Sequence, residues 1–133
     1  MIPHAMEVVR RLYPQYRMCI VTNGVVATQY ARLRDSGLDA YFHHMFVSEE
    51  IGVRQPDRSY FDHCFARLNG AKRNRTLIIG DSLSSDMQGG INAGISTCWY
   101  NPDGKKNHKQ LPLTYEIRDL RELYTILEEE NDG

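Results

Sequence analysis

Strand-like and helix-like segments alternate along this chain, and that alternation constrains its fold more than any other feature. Short apolar runs at residues 17–21, His44–Val47, 76–79 and Ser96–Tyr100 read as strands, with a shorter one at Tyr115–Ile117. Helical patterns lie between them. Residues 5–13 carry Met6, Val9 and Leu12 on one face. Residues 25–36 are stopped by Gly37, residues 57–68 start after Pro56, residues 86–93 are stopped by Gly94, and residues 120–128 form a last amphipathic segment. Residues 101–112 read as a polar loop and 128–133 as a frayed acidic tail. The strands are apolar throughout, as parallel strands buried on both faces are. The expected fold is an α/β, doubly wound, three-layer parallel sheet. The chain opens in a helix, however, whereas such domains commonly begin with a central strand that carries site residues.

A chain of 133 residues fits one domain. Its net charge of −1 gives no electrostatic grip on nucleic acid or an anionic membrane. No apolar run approaches a membrane span, and the first six residues lack the pattern of a signal peptide, so a cytoplasmic location is expected. Cys19, Cys64 and Cys98 are odd in number and show no CxxC spacing, which predicts buried free thiols in a reducing compartment.

Three constellations fall at the carboxyl ends of expected strands, where open α/β sheets place their ligands. Thr22-Asn23-Gly24 sets a hydroxyl, an amide and a glycine before a helix start, a place that attracts phosphate; it also reads as a plain Asn-Gly turn. Arg54, in the loop before Pro56, either serves a phosphate or is a solvated loop arginine. Asp81 and Asp86 lie five positions apart in Gly80-Asp81-Ser82-Leu83-Ser84-Ser85-Asp86. They either hold a hard cation such as Mg²⁺ or act as turn and helix cap. Their meeting on one sheet edge favours a site that positions a phosphoryl group. Gly89 and Gly90 lack the Lys-Ser/Thr of a phosphate loop and are better explained by close helix packing. Trp99 and Tyr100 read as core.

As an ordered set these residues resemble the haloacid dehalogenase-like hydrolases. Thr22-Asn23-Gly24 is similar to motif two of that family, the stretch from Ser48 through Pro56-Asp57 to motif three, and Gly80-Asp81 with Asp86 to motif four. The likeness runs from about residue 2 to residue 127 and points to the capped pyrimidine and noncanonical 5′-nucleotidases. It implies that Thr22, helped by Asn23 and Gly24, binds the transferring phosphoryl group. It also implies that Asp81 ligates Mg²⁺ and that Asp86 supports the metal or its waters. Members of the family attack phosphate with an aspartate and hydrolyse the resulting aspartyl-phosphate.

Two departures bear on activity. The family's nucleophile and acid/base are the aspartates of a DxDxT motif on the central first strand, and this chain contains no such motif. That strand and the cap would precede Met1, so residues 1–133 are expected to be a partial core without a cap, lacking its first strand. Secondly, the lysine that the family places before the motif-three proline is here Gln55, with Arg54 the nearest cation. Losing one preorganised charge stabiliser typically costs about 3 kcal/mol. The expectation is therefore a Mg²⁺-dependent phosphate monoester hydrolase, acting on a small phosphate ester such as a nucleoside 5′-monophosphate, whose isolated chain is inactive. Unpaired strand edges on either side of the missing strand would favour self-association. The alternative is a non-catalytic phosphate- or nucleotide-binding relative. A signalling receiver-type domain ranks lower, because Thr22-Asn23-Gly24 supplies no acidic pair.

Overall fold

The computed structural model describes residues 2–23 and 34–132. Gly24 and most of the helix expected over residues 25–36 lie outside the described residues. Helix α1 (Ala5–Leu12) buries Val8 and Leu12, and Arg10 and Arg11 in its last turn complement the helix dipole. Strand β1 (Cys19–Thr22) follows, then a 3₁₀ turn at Leu38–Tyr41 and strand β2 (His44–Val47). A one-turn helix α2 (Ser48–Ile51) follows, in a stretch to which the sequence pattern assigns no element. Helix α3 (Arg58–Arg67) is capped by Asp57, whose carboxylate accepts the Ser59 N–H at 2.9 Å. Strand β3 (Leu77–Gly80) leads into a π-helical turn (Leu83–Met87) that continues as helix α4 (Gln88–Ala93). Strands β4 (Ser96–Tyr100) and β5 (Tyr115–Ile117) precede helix α5 (Leu123–Asp132). A capping box of Asp119 and Glu122 starts this last helical segment.

The elements agree with the sequence pattern, with shifts at their ends. Thr22 and Gly80 belong to β1 and β3, because the ladders run on to Val47 and Trp99 opposite them. The expected frayed tail is instead helical through Asp132, consistent with the good helix propensity of its glutamates.

Every strand pairing is parallel. The strands form two groups, β1–β2 and β3–β4–β5, which are not hydrogen-bonded to one another. Among the described residues, nothing pairs with the second edge of β1 or of β3. Helices cover both faces. Phe46, Tyr60, Phe61, Cys64, Ile78, Met87 and Trp99 form one core, while Val8, Leu12, Cys98, Tyr100, Ile117 and Leu123 form the other.

Helix α3 joins the two groups of strands, because adjacent residues on it face different ways. Tyr60 is wholly buried and reaches the ends of β1 and β2. Phe61 packs against Gly89 of α4, where an added Cβ would lie 2.7 Å from the ring. At Gly90 a Cβ would lie 2.6 Å from Ile78 Cγ2 and 2.8 Å from Thr97 Cγ2. The two glycines are thus a packing device, as the sequence reading has them. Arg73 adds a polar tie, donating to the Ala93 carbonyl at 2.8 Å and to Asp62 Oδ1 at 2.6 Å. The cysteines are free, and burial pushes the Cys64 and Cys98 thiols up to about 12, which keeps them unreactive. Among the described residues, no helix is long and apolar enough to cross a membrane.

Candidate phosphate and metal site

Asp81 follows the last residue of β3 on an exposed loop. The buried indole of Trp99 fixes that loop by donating from Nε1 to the Asp81 carbonyl at 3.0 Å. The π-helical turn then brings Asp86 back under the end of the strand, so that its Oδ2 accepts the Ser82 N–H at 3.3 Å. Ser82 closes the turn at both of its oxygens. Its hydroxyl accepts the Ser85 N–H at 3.1 Å and its carbonyl accepts the Met87 N–H at 3.0 Å. Gly80 makes room for this return, since any side chain there would overlap the Asp86 carboxylate.

Burial raises the Asp86 carboxyl above its ordinary range, and the neighbouring negative charge of Asp81 raises it further. A buried carboxylate beside a second one is suited to a cation that offsets the charge of both. Mg²⁺ typically takes one or two carboxylates and completes its octahedron with waters and substrate phosphate oxygens. The pair fits that requirement. No cluster of three His, Cys, Asp or Glu side chains is assembled among the described residues. A cation here would therefore lean on water and ligand oxygens for the rest of its shell.

Thr22 ends β1 half-buried, and its backbone is held from below by the Tyr60 hydroxyl, which accepts the Thr22 N–H at 3.0 Å. The Asn23 side chain is committed to the motif-three loop. Its Oδ1 accepts the Gln55 N–H at 2.9 Å and its Nδ2 donates to the Gln55 carbonyl at 3.2 Å. Any role of Asn23 toward phosphate therefore falls to its backbone. Gln55 itself is only 3% exposed, and among the described residues its buried Oε1 has no hydrogen-bond partner. Such an orphaned group typically costs about 1–3 kcal/mol. Arg54 is exposed.

Asn23, Arg54 and Gln55 line one open groove of about 1020 Å³ together with Ser84, Ser85 and Asn92. Asp81 instead borders a smaller cavity of about 110 Å³ with Trp99, Tyr100, Asn101, Asp103 and Lys105. Neither cavity is lined by Thr22 or Asp86; the two are related through Tyr60, whose hydroxyl accepts the Thr22 N–H and whose phenol feels the Asp86 charge. Tyr60 is not among the site residues that the sequence picks out. The available signal was chemical: a buried tyrosine hydroxyl nearly always finds a partner.

A family model described as haloacid dehalogenase-like hydrolase matches residues 1–94. The chain belongs to the haloacid dehalogenase-like hydrolases. It is 50% identical over 131 residues to the HAD-hydrolase YfnB of Bacillus subtilis, covering 98% of this chain and 56% of that protein. It is 42% identical over 113 residues to the pyrimidine 5′-nucleotidase PynA of Streptococcus pneumoniae, covering 85% of this chain and 48% of PynA. The crystal structure of B. subtilis YfnB, described as bound to magnesium, superposes with a TM-score of 0.92 over 95% of this chain and 55% of that one. A HAD phosphatase from Thermococcus onnurineus superposes with a TM-score of 0.87 at 30% identity, over 96% of this chain and 58% of that one. The chain thus spans about half the length of the curated relatives it matches. Its fold, with parallel strands and helices on both faces, is that of the HAD core.

Proposed function

We propose that this chain is the phosphate- and metal-binding portion of a Mg²⁺-dependent phosphate monoester hydrolase, with a nucleoside 5′-monophosphate as substrate. The observation that carries the reading is the Asp81–Asp86 pair at the carboxyl end of β3, where Gly80 makes room for the Asp86 carboxylate and burial, with the nearby Asp81 charge, raises that carboxyl above its ordinary range. Nucleotidase relatives support the substrate class: PynA, and YjjG of Escherichia coli at 35% identity over 126 residues. The Thr22 hydroxyl binds a phosphoryl oxygen. Asp81 and Asp86 hold the cation, which when bound supplies positive charge against the phosphate oxygens. Arg54 approaches from the groove wall as the nearest cation to the Gln55 position. The nucleophile comes from a parallel strand seated between β1 and β3, and the open edges of those strands otherwise favour association of the chain with itself.

The chain by itself is inactive on this reading, because no DxDxT aspartate is present in it. The test pairs two measurements on the 133-residue chain. Calorimetry with cytidine 5′-monophosphate and Mg²⁺ is expected to show binding that Asp81→Asn abolishes. Release of phosphate from an aryl phosphate is expected to stay at background. Turnover that disappears on Asp81→Asn would overturn the assignment of inactivity, and absence of Mg²⁺-dependent nucleotide binding would overturn the site.

A second reading, a non-catalytic nucleotide-binding relative, is favoured by one observation, the neutral and buried Gln55. Joining a DxDxT-bearing strand to the chain separates the two readings. Recovered hydrolysis supports the enzyme, and tight binding without turnover supports the binding relative.

A further inference from the structure

We infer that Tyr60 is a positioning residue whose hydroxyl fixes the backbone of Thr22, and so places the oxyanion-binding end of β1 relative to the carboxylates of β3. The inference rests on the proposed role of Thr22 in phosphate binding. Tyr60 has no exposed surface. Its hydroxyl accepts the Thr22 N–H at 3.0 Å and donates to the Phe46 carbonyl at 2.5 Å, with the Thr22 carbonyl farther off at 3.4 Å. Phe46 pairs with Val21 in the β1–β2 ladder, and Thr22 with Val47. One side-chain oxygen therefore bridges the last rungs of two neighbouring strands, at the point where β1 gives way to the site.

The bridge has a rigid origin. Asp57 caps the helix that carries Tyr60, and the Asn92 side chain donates to the Pro56 carbonyl at 3.0 Å just before that cap. The next residue, Phe61, fills the notch at Gly89 on α4. Helix α4 continues directly from the turn that holds Asp86. Because β1–β2 and β3–β4–β5 share no ladder, the relative placement of Thr22 and Asp86 leans on α3, and Tyr60 is its hydrogen-bonded contact with the end of β1. Burial holds the phenol well above its ordinary value, so the hydroxyl remains a donor at every physiological pH.

Tyr60→Phe in the 133-residue chain removes the hydroxyl and keeps the ring. Three readouts separate clamping from general packing. Amide hydrogen exchange at Thr22 is expected to quicken about tenfold, and affinity for inorganic phosphate at saturating Mg²⁺ to fall about fivefold to tenfold, the usual consequence of losing one hydrogen bond. Affinity for Mg²⁺ alone is expected to hold within about twofold, since Asp81 and Asp86 keep their own supports. Unchanged exchange at Thr22, or parallel losses of phosphate and Mg²⁺ affinity, would overturn the inference. If the wild-type chain binds no phosphate, the functional reading fails, and exchange at Thr22 still decides whether the clamp exists. If Tyr60→Phe does not fold, wild-type exchange decides. A clamped Thr22 amide is as protected as that of Cys98, in the central strand β4, and an unclamped one exchanges like a loop.

Discussion

The indole Nε1 of Trp99 donates to the backbone carbonyl of Asp81 at 3.0 Å, so a side chain from the core of β4 holds the loop that carries a proposed metal ligand. Trp99 is the sole tryptophan of the chain, which makes its emission a local reporter on that loop. Titration with Mg²⁺ is expected to change the fluorescence with a single saturable transition. Trp99→Phe keeps an aromatic core residue but frees the Asp81 carbonyl. It is expected to weaken Mg²⁺ binding by roughly threefold to tenfold, the range for one hydrogen bond, read by calorimetry.

Two glycine substitutions are expected to fail in different ways. Gly90→Ala drives a methyl into Ile78 and Thr97, and denaturant unfolding should show a loss of about 1–3 kcal/mol, as overpacking usually costs. Gly80→Ala collides instead with the Asp86 carboxylate. Its main consequence is expected at the cation site: the rise in melting temperature that Mg²⁺ confers on the wild type should disappear. Equal effects of the two changes on the Mg²⁺-dependent shift would contradict this division.

Gln55 trades stability for a polar group at the site. Gln55→Met preserves the side-chain length and removes the orphaned Oε1, so the chain is expected to gain about 1 kcal/mol in denaturant unfolding. Gln55→Lys places an ammonium in the same buried position. Desolvation should lower the stability of the free chain, while phosphate affinity should rise, because the bound anion compensates the buried charge. A lysine variant that gains no phosphate affinity would count against Gln55 facing the phosphate.

Acid should unfold the chain partly through its helix caps. Hydrogen bonds from Ser59 hold the Asp57 carboxyl below its ordinary value, and hydrogen bonds from Arg121 hold that of Asp119 well below it. A carboxyl depressed in the folded state contributes stability that is complete above its unfolded value of about 3.8–3.9 and is lost as pH falls through the folded value. The unfolding midpoint is therefore expected to drop below about pH 4. The Asp57→Asn, Asp119→Asn double variant should be less stable at pH 6 and show a flatter acid limb. Asp57 is exposed and Asp119 partly so, and salt should therefore shrink the difference.

How far the site could be read from sequence depended on the range of each interaction. The Asp57 cap satisfies an amide two residues away, and an acidic residue after a proline signals it locally. The glycine pair at 89–90 reads as a packing surface because no phosphate-loop lysine follows it. The partners of the site residues are another matter. Thr22 and Tyr60 are 38 positions apart, Asn23 and Gln55 are 32, and Trp99 and Asp81 are 18. No periodicity or spacing rule connects such pairs. The Asn23 amide looks equally available to a phosphate or to a loop until the loop is placed beside it.

By itself the order of apolar runs, glycines and carboxylates determined the α/β layering, the family and the strand ends that carry Thr22, Asp81 and Asp86, because short-range periodicity and motif spacing are written in neighbouring residues. Only the tertiary structure decided what each polar group does once there. Tyr60 and Trp99 became struts, Asn23 was spent on a backbone, and Gln55 was left with an oxygen unpaired. A buried donor or acceptor must be satisfied by whatever the folded chain brings within about 3 Å, and that choice is made in space rather than along the chain.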